Sequence, residues 1–527
     1  MGVCCPKEYK MLRPKTARQL DKPEISNSSR LERINTRYEF IKVIGCGQFG
    51  TVREARMVGY DIENNCKHFA IKSINKVRVM KNLKLMKNEI SILMLVDHPN
   101  IIKLYETYED DMYIHLVMEL CTGGDLFEHL MVRGSLTELE VAQIMRKIFT
   151  AVNHLHNINI CHRDIKPENF LVSSKDNDAD IKMIDFGMSA KFGGEEMNTI
   201  VGTPYYLAPE VLRGSYGLEC DVWSLGVVMF FLLVGQQPFK GDSLNEIFQK
   251  IVKADFDFSD PSWEIISDEA KILISKMLIV NPDYRISLQD ALSHEWFVNN
   301  LSNSHQEIKL EVFKSIKRYR APSKLWHEAM KILVQNLSAD QIKELQSAFL
   351  EIDQRKTGFV TAKDIEAAMI RNGFFLARDE FKALVQSINY VGKGKLNYTQ
   401  FLIASVDKRR ALDEESMWLV FKHFDLDRNG TISVDELKFA LEKAGCYLSD
   451  TEYKEIIDEF ELKAGETMNF EEFKEIMLCF EDRSLVCTEQ EDQFVEAPRR
   501  GMRRLSQRLL MQRKTIIEPK KKKRVTD

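Results

Sequence analysis

The sequence predicts an α+β domain, β-rich first and helical afterwards, followed by an all-α module of repeated helix–loop–helix units. Three observations carry this. At Tyr38 the chain turns from polar and basic to alternating, in Tyr38-Glu-Phe-Ile-Lys-Val-Ile44, and a Gly-containing turn leads into a second alternating run through Val52 and Ala55. Alternation of this kind marks half-buried strands. From about Val141 helical periodicity dominates, and the mostly apolar run Val222 to Val234 reads as a buried helix. Between Ala339 and Phe480 four helix–loop–helix units recur about 35 to 47 residues apart, and repetition at such a period marks a repeat architecture.

A chain of 527 residues exceeds one average domain, and two to four domains are expected. Hydrophobic content of 44% and charged content of 29% fit a globular chain. The net charge of -5 gives no reason to expect a nucleic-acid partner. There is no apolar signal-peptide core and no apolar run of about 18 residues, so no transmembrane helix is expected. Ten scattered cysteines without a CxxC pair fit a reducing cytoplasm.

Gly45-Cys46-Gly47-Gln48-Phe49-Gly50-Thr-Val52 follows Ile44 and fits GxGxxGxV. Glycines let backbone close over phosphates without Cβ clashes. A dinucleotide-binding turn has a similar pattern, but it joins strand to helix, and here both flanks read as strands. Ala70-Ile71-Lys72 lies on an apolar strand, and Glu89 follows on the helical stretch Leu83 to Val96. His162-Arg163-Asp164-Ile-Lys166-Pro-Glu168-Asn169 then supplies an acidic base, a lysine and an asparagine within a few residues. Asp185-Phe186-Gly187 and Ala208-Pro209-Glu210 complete the series. These motifs, in this order, match the protein-kinase signature set.

The resemblance to protein kinases covers roughly Tyr38 to Phe297 and implies a two-lobed α+β fold with ATP and Mg²⁺ as cofactors. It implies that Ile44, Gly45, Cys46, Gly47, Gln48, Phe49, Gly50, Val52, Ala70, Lys72, Glu89 and Met118 form the nucleotide site, with Met118 as gatekeeper before a hinge at Glu119 to Cys121. Asp164 would accept the substrate hydroxyl proton, Lys166 would offset charge on the transferring phosphoryl, and Asn169 and Asp185 would hold Mg²⁺. Asp221-Val-Trp-Ser-Leu-Gly226 resembles the start of the central buried helix, and Arg285 the partner of Glu210. Leu93, Leu104, His162 and Phe186 resemble the stacked residues of the active state. Lys166 with Gly202-Thr203-Pro-Tyr-Tyr-Leu resembles serine/threonine kinases. Asp125 and Glu168 match acids that hold arginines before the phosphorylated residue; solvated surface acids are the alternative. Thr199 stands where a phosphate could pair with Arg163; an unmodified polar residue is the alternative.

An EF-hand loop needs oxygen ligands at positions 1, 3, 5, 9 and 12, a carbonyl at 7 and glycine at 6. Asp425-Leu-Asp427-Arg-Asn429-Gly430-Thr431-Ile432-Ser433-Val-Asp-Glu436 meets all of these. Asp425, Asp427, Asn429, Thr431 and Glu436 are therefore the expected Ca²⁺ ligands, with Ser433 acting through water and Ile432 packing opposite Met468 of the paired loop. The other loops depart from the pattern. Asp353 to Asp364 keeps Thr357 and Gly358 but puts Arg355 at position 3, and Asp364 is short for a bidentate ligand. Asn389 to Gln400 has Val391 and Lys393 where acids belong, and Glu461 to Glu472 has Lys463 at position 3 and Gly465 one place early. These three read as structural units with little or no Ca²⁺.

A kinase domain, a basic amphipathic segment and four EF-hands resemble the calcium-dependent protein kinase family of plants and protists, over about Tyr38 to Phe480. The segment from Gln306 to Leu337, and within it Phe313-Lys-Ser-Ile-Lys-Arg-Tyr-Arg-Ala-Pro-Ser-Lys-Leu325, is similar to that family's autoinhibitory junction. The resemblance implies that the junction occludes the cleft at rest and that Ca²⁺ draws it into the EF-hand module. The expected organisation is an arm over 1–37, a kinase domain over 38–297, a junction over 298–337, EF-hand pairs over 338–410 and 411–480, and a disordered basic tail over 481–527. Met1-Gly2-Val3-Cys4-Cys5 resembles an acylation start that would reach a membrane surface, although Pro6 stands where Ser or Thr is usual. Pro519-Lys-Lys-Lys-Lys-Arg524 resembles a nuclear import signal. A cytoplasmic monomer acting on proteins with basic residues before Ser or Thr is expected.

Overall fold

The computed structural model describes residues 34–46, 50–58, 67–79, 83–128, 136–176, 179–301, 308–318, 324–335, 337, 339–392, 394–407, 412–443 and 467–485. Gly47, Gln48 and Phe49, residues 461–466 of the fourth EF-hand loop and both chain ends lie outside them.

The predicted strands are present as β1 (Tyr38–Cys46), β2 (Gly50–Met57) and β3 (His68–Asn75), and the structure adds β4 (Leu104–Glu109) and β5 (Tyr113–Glu119). They form one antiparallel sheet in the order β1-β2-β3-β5-β4. The register sets Val52 opposite Lys72 and Ala70 opposite Met118, so residues far apart in sequence share one wall. The helix Leu83–Leu95 packs beside this sheet and brings Glu89 to it.

The second lobe is helical, around a continuous apolar core. Helix Glu138–Asn157 starts at a capping box, in which Thr137 accepts from the Glu140 N–H and Glu140 reaches back to the cap; reciprocal bonds of this kind satisfy otherwise orphaned donors. Helix Glu219–Val234 is the predicted buried helix and ends at Gly235 in the left-handed region (φ 71°). It is apolar nearly all round because it is packed on all sides. Among the described residues no helix is long and apolar enough to cross a membrane.

The segment after the kinase lobes forms two helices, Leu310–Arg318 and Lys324–Gln335. Val312, Phe313, Ile316, Trp326, Met330 and Leu333 are buried in a core shared with the EF-hand helices. The junction in this structure therefore belongs to the EF-hand module. In the first EF-hand pair Val360 bridges to Leu396, and in the second Ile432 faces Met468 as predicted.

Candidate active site and calcium loop

The catalytic segment follows the two-residue strand Ile160–Cys161 and is pinned from below. The Asp221 carboxylate accepts the backbone N–H groups of His162 (2.8 Å) and Arg163 (2.9 Å), and His156 Nε2 lies 2.9 Å from it. Arg163 sits at φ 69°, a strained conformation for a side chain of its size. Two backbone bonds to a buried carboxylate hold it there. Burial alone would raise the Asp221 carboxyl, but the His156 bond and charge, with His162, keep it below its ordinary value.

Above this anchor the reacting groups converge. Asp164 receives hydrogen bonds from Thr203 Oγ1 (2.7 Å) and Asn169 Nδ2 (3.0 Å) and an ion pair from Lys166 Nζ (2.8 Å). Lys166 also donates to Thr203 Oγ1 at 2.9 Å, tying the activation segment to the catalytic loop. Burial works against the Asp164 carboxylate, but bonds from Lys166 and Thr203, the Lys166 charge and Asn169 outweigh it and hold the carboxyl below its ordinary value. Asp164 is thus a carboxylate at neutral pH, as a proton acceptor must be.

Lys72 Nζ pairs with Glu89 Oε1 at 2.8 Å across the sheet and helix. Leu93, His162 and Phe186 are buried with Leu104 against them, and the His162 and Phe186 rings meet edge-on at 5.4 Å. Arg285 grips Glu210 with two bonds, 2.6 and 3.0 Å, both side chains buried. The stacked residues and the Arg285–Glu210 pair are therefore assembled as the sequence suggests.

The site fits a nucleotide and a hard cation. A Cβ at Gly50 would stand 2.1 Å from the Ser73 carbonyl, so only glycine lets β2 lie this close. Ile44, Gly45 and Cys46 end β1 and Val52 continues β2, while Ala70 and Met118 line the wall beneath. Both Asn169 Nδ2 bonds go to Asp164, leaving the side-chain amide oxygen as a ligand atom for a cation, and the Asn169 backbone carbonyl accepts the Ile184 N–H (3.1 Å), one residue before Asp185. Asp185 is exposed, with Oδ1 on the Gly187 N–H. An amide oxygen and a carboxylate are the donor chemistry magnesium prefers.

In the third EF-hand loop, carboxylate oxygens of Asp425, Asp427 and Glu436 lie within 4.8 Å of one another. Asp425 accepts the N–H groups of Asn429 (3.1 Å) and Gly430 (2.9 Å), and Glu436 accepts those of Leu426 (2.9 Å) and Asp427 (3.1 Å). Burial pushes the Asp425 carboxyl above its ordinary value; the backbone donors oppose this, and Glu436 and Asp427 add to it as like charges. An oxygen-only, acid-rich cluster of this kind fits Ca²⁺. Asn429 and Thr431 stand beside it, joined by Thr431 Oγ1 to Asn429 Oδ1 (2.7 Å). Ser433 bonds Glu436 (2.6 Å).

The structural role of Asp221 went unread in the sequence, as did the Thr203 bonds to Asp164 and Lys166. Thr203 follows the glycine of the substrate loop, which was the available signal. Arg163, expected near Thr199, bonds the Met188 carbonyl (2.5 Å) and the Tyr216 hydroxyl (3.2 Å), and Tyr216 donates to the Thr199 carbonyl (2.6 Å).

Comparison with known proteins agrees with this geometry. Residues 38–297 match the protein kinase domain family, and residues 413–478 match the EF-hand domain pair. Calcium-dependent protein kinase 3 of Plasmodium berghei (strain Anka) is 37% identical over 443 residues, covering 82% of this chain and 78% of the relative. Calcium-dependent protein kinase 21 of Arabidopsis thaliana is 36% identical over 450 residues, covering 85% and 83%.

Proposed function

The chain belongs to the calcium-dependent protein kinase family, and on that premise we infer that it is a serine/threonine kinase that moves the γ-phosphate of ATP to protein hydroxyls under calcium control. One observation carries the reading: Asp164 is joined to Lys166, Thr203 and Asn169 in one chain with an acid cluster at Asp425, Asp427 and Glu436.

Phosphoryl transfer is loose, so positioning and charge neutralisation do most of the catalytic work. Lys72, fixed by Glu89, orients the α- and β-phosphates. Asp164 orients the substrate hydroxyl and takes its proton. Lys166, beside it, offsets negative charge on the transferring group. Asn169 and Asp185 are the residues that would hold magnesium, which when bound would offset negative charge on the phosphates.

Substrate choice follows from acids near the cleft. Glu168 is exposed, and Asp125 is partly exposed and caps the Glu128 N–H (2.7 Å). Together they favour arginines before the acceptor residue. The tail sequence Arg503-Arg504-Leu505-Ser506 has that spacing, so Ser506 is a candidate autophosphorylation site, outside the described residues. The protein acts as a cytoplasmic monomer, and acylation at Gly2 with Cys4 or Cys5 adds membrane contact.

The test is transfer of labelled γ-phosphate to a serine peptide with arginines three and two residues before the serine, in calcium and in chelator. Calcium-stimulated transfer, lost in Asp164→Asn, is the expected result. Transfer that persists in Asp164→Asn removes the site assignment. An equal rate for a peptide with the arginines replaced removes the basic preference.

A further inference from the structure

The first EF-hand loop, Asp353 to Asp364, is folded like the third but charged differently. Asp353 accepts the N–H groups of Thr357 (3.1 Å) and Gly358 (2.7 Å), as Asp425 accepts those of Asn429 and Gly430. At the fourth and sixth positions φ is 54° and 75° for Lys356 and Gly358, and 60° and 85° for Arg428 and Gly430. The backbone has one shape in both. In the third loop three carboxylates face one another. In the first, Arg355 at the third position donates from Nη2 to Asp364 Oδ2 at the twelfth, 3.0 Å away. A guanidinium thus joins the two positions that a calcium ion would otherwise draw together. The seventh-position carbonyl, Phe359 O, accepts the Thr357 hydroxyl (3.1 Å), and the Thr361 hydroxyl donates to Asp364 (2.6 Å).

The same loop is built onto the helical lobe of the kinase. Asn153 Nδ2 donates to the Lys356 carbonyl at 2.5 Å. His154 Nδ1 lies 3.4 Å from the Thr357 carbonyl, which needs the proton on that nitrogen. Its ring meets Phe359 at 5.1 Å. A Cβ on Gly358 would stand 2.2 Å from His154 Nδ1, so glycine serves the close approach as well as the turn. Beside this contact Thr399, of the second loop, donates from N and Oγ1 at 2.9 and 2.8 Å to Asp97, which lies between the helix Leu83–Leu95 and β4, with Lys103 on the same carboxylate. Asn153, His154 and Asp97 are buried. The third loop and the helix before it meet the other lobe: Arg428, again at the fourth position, donates to the Thr36 carbonyl just before β1 (2.6 Å), and His423 lies against Arg37 and Glu106.

We propose that the first loop is a calcium-independent anchor, in which Arg355 takes the place of the ion and the loop holds the EF-hand module on the helical lobe whether or not calcium is bound. The Arg355–Asp364 pair is half exposed and contributes little stability by itself. Its effect is to remove the acidic repulsion that makes the third loop depend on an ion, while the buried contacts with Asn153 and His154 supply the hold. Calcium then acts through the third loop on the β-rich lobe alone. This rests on the calcium-control reading and narrows where that control operates.

Hydrogen exchange on the full-length chain, in calcium and in chelator, tests it. Amides from Lys356 to Val360 should keep their protection within about twofold, while those from Arg428 to Ser433 slow by roughly tenfold or more on adding calcium. If the first loop gains protection together with the third, the anchor is calcium-driven and the proposal is wrong. If neither loop responds, calcium control itself fails and takes the proposal with it. A reversal sharpens the test. The double variant Arg355→Asp, Asp364→Glu puts an acid at the third position and a carboxylate long enough for bidentate binding at the twelfth, and calorimetry of the full chain should then count about two calcium ions where the parent takes about one. A variant that adds no calcium site would show that Arg355 was not what excluded the ion.

Discussion

The catalytic cleft and the third EF-hand loop each depend on a buried aspartate, but they differ in how far the chain itself balances its charge. In the cleft, Asp164 already has Lys166, Thr203 and Asn169 around it, and its carboxyl is held below its ordinary value. In the loop, Asp425 lies close to Asp427 and Glu436, and its carboxyl is pushed up by burial and by those like charges. The cleft is preorganised by the chain itself, which is what electrostatic catalysis requires. The loop keeps a repulsion that an ion relieves, so binding there has free energy to spend on a change of state.

The largest effect should come from breaking the cleft. Asp164→Asn removes the proton acceptor while keeping shape and most hydrogen bonds. Steady-state kinetics should show kcat lowered by about 10²–10⁴-fold, with ATP affinity nearly unchanged in a direct binding assay. Retained near-parental turnover would mean that the cleft's order is not catalytic.

Next in size is the support under the activation segment. Arg285→Ala leaves Glu210 as an unpaired charge in a buried site, and such losses cost about 3–5 kcal/mol. Chemical denaturation of the kinase domain should show that loss. A drop under about 1 kcal/mol would place the pair among ordinary surface contacts.

A smaller effect is expected in the loop. Glu436→Gln should weaken calcium binding by roughly tenfold or more and remove the calcium response, leaving transfer in chelator intact. pH sharpens the same contrast. Proton and ion compete for Asp425, whose raised carboxyl takes up its proton at higher pH than an ordinary aspartate as acidity increases. The depressed Asp164 carboxyl stays ionised through that range and is protonated only at lower pH. Calcium affinity should therefore decline on acidification before the catalytic carboxylate is lost, as calcium titrations at stepped pH would show. The smallest effect belongs to Glu472→Gln: Glu472 accepts the Asn469 N–H (2.8 Å) in a loop with Lys463 at its third position, so the calcium response should barely change.

The motifs were legible because their chemistry lies in short contiguous runs. His162 to Asn169 carries the proton acceptor, the lysine and one magnesium ligand, and Asp425 to Glu436 a full set of calcium ligands, each within a dozen residues or fewer. What stayed hidden is non-local. Asp221 binds backbone amides 58 and 59 residues away, and Asn153 meets Lys356 across 203. Nothing in local spacing marks an aspartate or asparagine for such a partner. The junction shows a third limit. Its amphipathic pattern announces a buried face but not its partner, and the structure gives that face to the EF-hand core.

One calcium ion in the third EF-hand loop is expected to govern a catalytic centre already assembled by the chain. Calcium binding and peptide phosphorylation followed in one titration of the full-length protein test it most directly. Activity should rise with occupancy of a single site, with a Hill coefficient of about 1, and the rise should disappear in Glu436→Gln. Activity equal in calcium and chelator, or a steep curve reporting several coupled sites, would contradict it.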